Sequence, residues 1–246
     1  MVKLSSFPEP LNALVVGANG GLGRAFVDHL LACPNVATIH AWSRQAGDIS
    51  DDKVMTATVD ITDEGTIAEA ARTLGAVHLV IVATGLLHDA ATDFGPEKAW
   101  RDLDFDKLQR AFAVNAIGPA LVAKHVLGRF PKDGRAIFAA VSARVGSISD
   151  NRLGGWYGYR ASKAALNQMI RSLAIELART RADAVCVGLH PGTVDTRLSG
   201  PFQGNVPDRQ LFSPETSTGL MLDVVDGLRP SDTGQIFAYD GRVIQP

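Results

Sequence analysis

The run Leu11-Asn12-Ala13-Leu14-Val15-Val16 passes directly into Gly17-Ala18-Asn19-Gly20-Gly21-Leu22-Gly23, and Arg24 to Leu31 continues as a helical pattern. A short apolar run of this kind suits a strand buried on both faces of a parallel sheet. Strand, glycine turn and helix start in succession form an anion site. Backbone N–H groups converge there, the helix dipole favours negative charge, and glycines admit a pyrophosphate at close range. The spacing is Gly17-xxx-Gly21-x-Gly23, which differs from the G-x-G-x-x-G of the usual dinucleotide fingerprint. A turn that serves packing alone is the competing reading, and the strand and helix on either side favour the phosphate cradle.

Strand-like and helix-like segments then alternate to the end of the chain. Strands are predicted at Leu11–Val16, Val36–Trp42, Val54–Val59, Val77–Ala83, Arg135–Val141, Ala184–Leu189 and Gln235–Tyr239. Helices are predicted at Gly21–Leu31, Asp63–Leu74, Phe105–Phe130, Trp156–Arg179 and Pro214–Gly227. This βαβα order predicts a parallel sheet with helices on both faces. The expected fold is a single Rossmann-type, doubly wound α/β domain with a seven-stranded parallel sheet over residues 1–246. That length is enough to bury a full core. Any ligand then belongs outside the carboxyl ends of the strands.

A net charge of −2 provides no electrostatic reason to expect nucleic acid or an anionic membrane as partner. Six histidines are scattered without a pair at metal-ligand spacing, so no metal site is expected. Cys33 and Cys186 stand far apart in apolar settings, which suits free thiols in a reducing cytosol. Residues Met1 to Pro10 contain no long apolar run of the secretory type. No window reads as apolar enough over the length needed to span a bilayer. The expectation is a cytoplasmic protein.

Tyr159-Arg160-Ala161-Ser162-Lys163 puts a phenol and an ammonium four residues apart at the start of a helical pattern. Residues i and i+4 share a helix face, so both groups can enter one pocket. A free phenol titrates at about pH 10, and a nearby cation favours its ionised form. The tyrosine is therefore a candidate acid or base. Tyr157 has Ala161 four residues on, hence no paired cation, and is set aside.

With these placements the chain resembles the short-chain dehydrogenase/reductase family over nearly its full length. Gly17, Gly21 and Gly23 match the family's cofactor glycines, with Asn19, Gly20 and Leu22 between them, and Tyr159 with Lys163 matches its catalytic Tyr-xxx-Lys. Asp60, followed by Ile61, matches the adenine-contacting Asp. Asn115 matches the Asn that supports the Lys through water. Pro191-Gly192-Thr193-Val194 with Thr196 matches the turn near the nicotinamide amide. Arg144-Val145-Gly146-Ser147 and Gly155-Trp156-Tyr157 look closest to a subgroup related to C-signal and sniffer-type carbonyl reductases. The resemblance implies reduction of a small-molecule carbonyl, or oxidation of the alcohol, in a homodimer or homotetramer. Tyr159 would supply the proton, Lys163 would stabilise its developing phenolate, and the nicotinamide would supply the hydride.

Two departures from the family pattern stand out. The hydroxyl that usually holds the substrate oxygen is expected at position 143, which is Ala143 in Val141-Ser142-Ala143-Arg144-Val145-Gly146. Ser142 substitutes if the backbone bends at the strand end, and Ser147 is a second candidate. The other departure is Val82-Ala83-Thr84-Gly85, where Asn-Asn-Ala-Gly would stand. Ala83, Thr84 and Gly85 are still expected beside the cofactor.

The adenosine ribose should meet the end of the second strand, about twenty residues beyond the glycines. Here the chain reads Ala41-Trp42-Ser43-Arg44. A guanidinium can hold a 2′-phosphate by a bidentate pair, and Ser43 adds a hydroxyl. NADP(H) is therefore expected over NAD(H). In the alternative, Arg44 caps a solvated loop and Asp48 takes part in ribose recognition. The stretch Val194 to Phe212, with Leu198, Phe202, Val206 and Phe212 among glycines and prolines, reads as a substrate loop around residues 193–213. Its side chains favour a hydrophobic or aromatic carbonyl compound. His88 is a candidate for the pocket rim. The competing class is a cofactor-binding regulator or signalling protein with weak or no catalysis, which Ala143 motivates.

Overall fold

A computed structural model describes residues 2–45, 47–204 and 207–246. The loop residue Val206 lies outside them. In chain order the elements are β1 (Leu11–Val16), α1 (Gly21–Leu31), β2 (Val36–Ser43), β3 (Val54–Thr58), α2 (Glu64–Arg72), β4 (Leu79–Val82), α3 (Phe105–Phe112), α4 (Gly118–Val126), β5 (Ala136–Val141), α5 (Tyr157–Leu177), β6 (Ala184–His190), β7 (Thr193–Val194), β8 (Leu211–Phe212), α6 (Pro214–Gly227) and β9 (Ile236–Ala238).

Seven strands form one parallel sheet in the order β3-β2-β1-β4-β5-β6-β9. The central strands are apolar at successive positions because helices cover both faces. On one face α1 and α6 bury Phe26, Leu30, Met221 and Leu222 against Val15, Ile81 and Val187. On the other, α2, α4 and α5 bury Ile67, Val122, Leu166 and Ile170 against Val80, Phe138 and Cys186. Strand order reverses between β1 and β4, so the ligand crevice falls at their carboxyl ends.

Four features differ from the sequence expectation. The stretch read as one helix is two, joined by a π-type turn at Ala113–Ile117 that carries Asn115; such turns recur at functional sites. Trp156, read as helical, caps α5 from outside with φ 54° and ψ 41°. β7 and β8 pair with each other at the base of the substrate loop, apart from the main sheet. Finally, the continuous helical stretch Phe105–Arg129 is 25 residues long and apolar enough to cross a membrane by length and composition. It belongs to the fold's helical layer, where Val122 and Val126 enter the core and Asn115 is fully buried. Its apolar content is explained by the face it presents to the sheet.

Candidate active site

The glycine turn closes β1 onto α1 at the crevice. Gly17 has φ +87°, and a Cβ there would lie 3.1 Å from Thr84 Cγ2 and 3.2 Å from the Ala83 carbonyl carbon. Its N–H and that of Ala18 both donate to the Trp42 carbonyl, at 2.8 and 3.0 Å. A Cβ on Gly23 would fall 2.0 Å from the Gly17 carbonyl oxygen, so the third glycine permits close helix–turn packing. A Cβ on Gly21 would lie 2.8 Å from Thr196 Cγ2, which brings Thr196 onto the cradle. Gly20 precedes α1 without a side-chain capping bond, and the first turn of the helix has no acidic residue. Its leading N–H groups are therefore available to an anion. Thr84 Oγ1 is buried and has no hydrogen-bond partner. Together these fit a group that carries a pyrophosphate and a sugar hydroxyl.

Asn19 donates to the Gln45 carbonyl at 3.0 Å, and the Ser43 hydroxyl donates to the same oxygen at 2.6 Å. Arg44 is exposed beside them. The Asp60 carboxylate accepts from the Thr62 hydroxyl at 2.7 Å and its N–H at 2.9 Å. Those bonds, with Arg44 adding charge, hold Asp60 below the ordinary carboxylate range. The Ile61 side chain is taken up by the core against α4, where a Cβ on Gly118 would meet it at 2.5 Å. Asp48, the alternative ribose contact, is paired instead with Arg24 at 3.0 Å. Sequence reasoning passed over Arg24, although its place directly after Gly23 could have drawn notice.

At the heart of the crevice α5 brings Tyr159 and Lys163 to the ends of β4 and β5. Lys163, 2% exposed, donates to the Val141 carbonyl at 2.8 Å, and its Nζ lies 5.9 Å from the Tyr159 ring centroid. A Cβ on Gly85 would be 3.8 Å from Asn115 Oδ1 and 4.0 Å from Lys163 Nζ, so these residues meet at one point. Asn115 Oδ1 accepts from Leu86 N–H at 2.8 Å, while its Nδ2 donates to the Leu86 carbonyl at 2.9 Å and to Ser162 Oγ at 3.1 Å. Burial pushes the Tyr159 hydroxyl up to about 12 and the Lys163 ammonium down to about 8. The sequence expectation is an ionised form favoured by the neighbouring cation; the shift instead runs upward, with desolvation of the hydroxyl as its cause.

The serines are placed otherwise than expected. Ser142 is buried on the α5 side and its hydroxyl donates to Asn167 Oδ1 at 2.6 Å. Ser147 is also buried and accepts from the Asp150 N–H at 3.2 Å. Both hydroxyls are engaged in local structure, while Ala143 stands at the position where the donor was expected. Adjacent residues leaving a strand point to opposite sides, and the chain does not bend enough to reverse them.

Gly192 (φ +78°) turns the chain where a Cβ would strike the Phe212 ring at 2.9 Å. Pro191 accepts from Ser217, and Thr193 and Val194 form β7. Above Tyr159, Trp156 lies edge-on to its ring at 6.2 Å and to Phe202 at 4.9 Å, and His88 lies edge-on to Phe202 at 5.8 Å. His88 also contacts the Arg197 carbonyl at 2.6 Å. The pocket wall is therefore aromatic, built from the loop before α5 and the substrate loop. Trp156 and Phe202 are legible from the motif before α5 and from the substrate loop, whereas Glu97, whose carboxylate reaches α5, belongs to no local motif. The Gly154-Gly155 doublet before Trp156 also takes positive φ, 64° and 65°, and leads into its left-handed turn.

A family model described as short chain dehydrogenase matches residues 11–205. The C-signal of Myxococcus xanthus is 37% identical over 167 residues, covering 66% of this chain and 95% of that one. An NADPH-bound carbonyl reductase from chicken fatty liver superimposes with a TM-score of 0.82 at 25% identity, covering 97% of this chain and all (100%) of that one. The carbonyl reductase Sniffer of Drosophila melanogaster gives 0.82 at 22% identity, with 97% and 100% coverage.

Proposed function

Because the chain belongs to the short-chain dehydrogenase family, we propose that it transfers hydride between NADP(H) and a carbonyl or alcohol substrate. The observation that carries this reading is the meeting of Tyr159, Lys163, Asn115 and Gly85 at the mouth of the glycine cradle. Bound nicotinamide would supply the two-electron hydride to the carbonyl carbon. Gly17 to Gly23, Thr84, Asp60 and the turn from Pro191 to Thr196 would hold the dinucleotide. Arg44 would meet the 2′-phosphate, and the chicken carbonyl reductase with bound NADPH supports that choice.

Tyr159 donates its proton to the carbonyl oxygen as charge develops there, converting carbonyl to alcohol. Lys163 opposes the negative charge left on the phenol oxygen. Asn115 ties the β4 loop to the π-type turn and to Ser162, and so fixes the floor on which Lys163 rests. The aromatic wall of Trp156, Phe202 and His88 suits a hydrophobic or aromatic carbonyl compound. Two buried free thiols, Cys33 and Cys186, fit a reducing compartment, and the cytoplasm is the proposed location. Ile117, Met169 and Ile175 are exposed on the helical layer, which supports a homodimer or homotetramer built on that face.

The second reading, a cofactor-binding regulator with weak catalysis, draws on Ala143 and on the Ser142 hydroxyl turned to Asn167. A panel of aldehydes, ketones and quinones assayed with NADPH separates the two. Turnover in wild type that vanishes in Tyr159→Phe supports the enzyme. NADPH binding without turnover on any member supports the regulator.

A further inference from the structure

Among the described residues Glu97 is the one buried acid, 6% exposed, and the chemistry above makes no use of it. It lies on the long connection after β4, yet it grips the start of α5 at two points. Its main-chain oxygen accepts from the Trp156 N–H. Its Oε2 accepts from the Gly158 N–H at 3.0 Å. Its Oε1 occupies the place a side chain would need, since a Cβ on Gly158 would stand 2.9 Å away.

α5 has no cap of its own. Trp156 makes no side-chain capping bond, and the first turn contains no acidic residue. A helix leaves its leading N–H groups without partners, and a carboxylate there both accepts a bond and meets the positive end of the dipole. Glu97 supplies that group from 61 residues away. The segment it grips is strained, because Trp156 holds φ 54°, a left-handed conformation that bulky residues rarely adopt. Such a conformation persists only where the surroundings over-determine it. Here bonds on Trp156 and on Gly158 bracket it from both sides. Tyr159 is the next residue, and the Trp156 ring lies edge-on to it.

We propose that Glu97 is a positioning residue for Tyr159: it clamps the Trp156–Gly158 turn and so sets the direction in which the phenol leaves α5. Gly158 is its matched partner, since only a residue without Cβ leaves room for the carboxylate. The proposal rests on the reading of Tyr159 as proton donor.

The test is a set of four variants, assayed with NADPH and any carbonyl compound that the wild type reduces. Glu97→Ala removes the carboxylate half of the clamp and leaves the main-chain bond to Trp156, and Glu97→Gln keeps an acceptor without the charge. Gly158→Ala pushes a methyl at the carboxylate, with Leu108 Cδ2 the next neighbour at 3.2 Å. Glu97→Ala should lower kcat about tenfold or more, as misplacement of a reacting group does. KM and NADPH affinity should change less than about threefold, and Glu97→Gln should recover most of kcat. Gly158→Ala should lower kcat comparably alone but less than about twofold in the Glu97→Ala background, where the clashing partner is gone. In the protein without substrate, amide exchange over residues 156–160 should quicken about tenfold in Glu97→Ala and stay near wild type in Glu97→Gln.

Wild-type kcat in Glu97→Ala, or an equal effect of Gly158→Ala in both backgrounds, overturns the proposal. If Glu97→Ala does not fold, Glu97→Gln and Gly158→Ala decide: unchanged kcat and exchange in Gly158→Ala count against it. Full activity in Tyr159→Phe would remove the underlying reading while the exchange result still judged the clamp. An inactive Tyr159→Phe beside a fully active Glu97→Ala would remove this inference alone.

Discussion

Replacing Lys163 by Met should make the protein more stable at neutral pH while abolishing turnover. Lys163 is 2% exposed, and burial depresses its ammonium from 10.5 to about 8. At roughly 1.4 kcal/mol for each pH unit, holding that charge inside the fold costs about 3 kcal/mol. Its bond to the Val141 carbonyl at 2.8 Å offsets part of the cost. Leaving that oxygen unpaired in the variant would cost about 1–2 kcal/mol. Methionine is unbranched and fills the same channel. The net gain is about 1–2 kcal/mol, or roughly 2–8 °C in melting temperature for a domain of this size.

The pH dependence identifies the cause. Below about 8 the lysine is charged in both states, and the folded wild type bears the full penalty. Between about 8 and 10.5 the folded protein releases the proton before the unfolded chain does, so wild-type stability rises with pH. Urea unfolding from pH 7 to 10.5 should therefore show the advantage of the Met variant level up to about 8 and shrinking above it. A variant less stable than wild type at pH 7, or an advantage that stays constant across the range, would refute the reasoning.

Arg44→Ala should weaken NADPH binding roughly tenfold or more through loss of a charge-assisted pair, leaving NADH binding nearly unchanged; fluorescence titration with both cofactors reads this, and equal weakening would count against it. Ala143→Ser should restore a donor at the substrate oxygen and raise kcat by about tenfold or more, with unchanged NADPH affinity; an unchanged kcat would mean that Tyr159 needs no second donor. Light scattering at micromolar concentration should give a dimeric or tetrameric mass, and Ile117→Glu with Met169→Glu should reduce it to a monomer. A monomeric wild type would end that proposal.

Much of the fold is legible locally. β1, α1 and α6 have the predicted bounds, because an apolar run, a glycine turn and a helical period are each complete within about ten to fifteen residues. Tyr159 and Lys163 are legible for the same reason: a helix puts i and i+4 on one face whatever surrounds it. The parallel sheet with helices on both faces follows from the alternation of elements, whereas the strand order, and with it the crevice between β1 and β4, belongs to the assembled sheet.

Other features were settled by contacts between distant segments. Ser142 reads as a plausible donor until its hydrogen bond goes to Asn167 Oδ1 on α5, and no pattern around either residue announces the other. The Tyr159 hydroxyl is raised and not lowered because the assembled pocket removes water from it, a property of the burial and not of the Tyr-xxx-Lys spacing. Asn115 sits on a π-type turn within an unbroken helical pattern, and its side chain is bonded to Leu86 and Ser162, partners far away in the chain. Sequence alone determined most of the elements and which side chains share a face, since both depend on short-range covalent geometry and side-chain identity. Only the tertiary structure decided where each polar group spends its hydrogen bonds, since a buried donor takes whatever acceptor folding brings within reach.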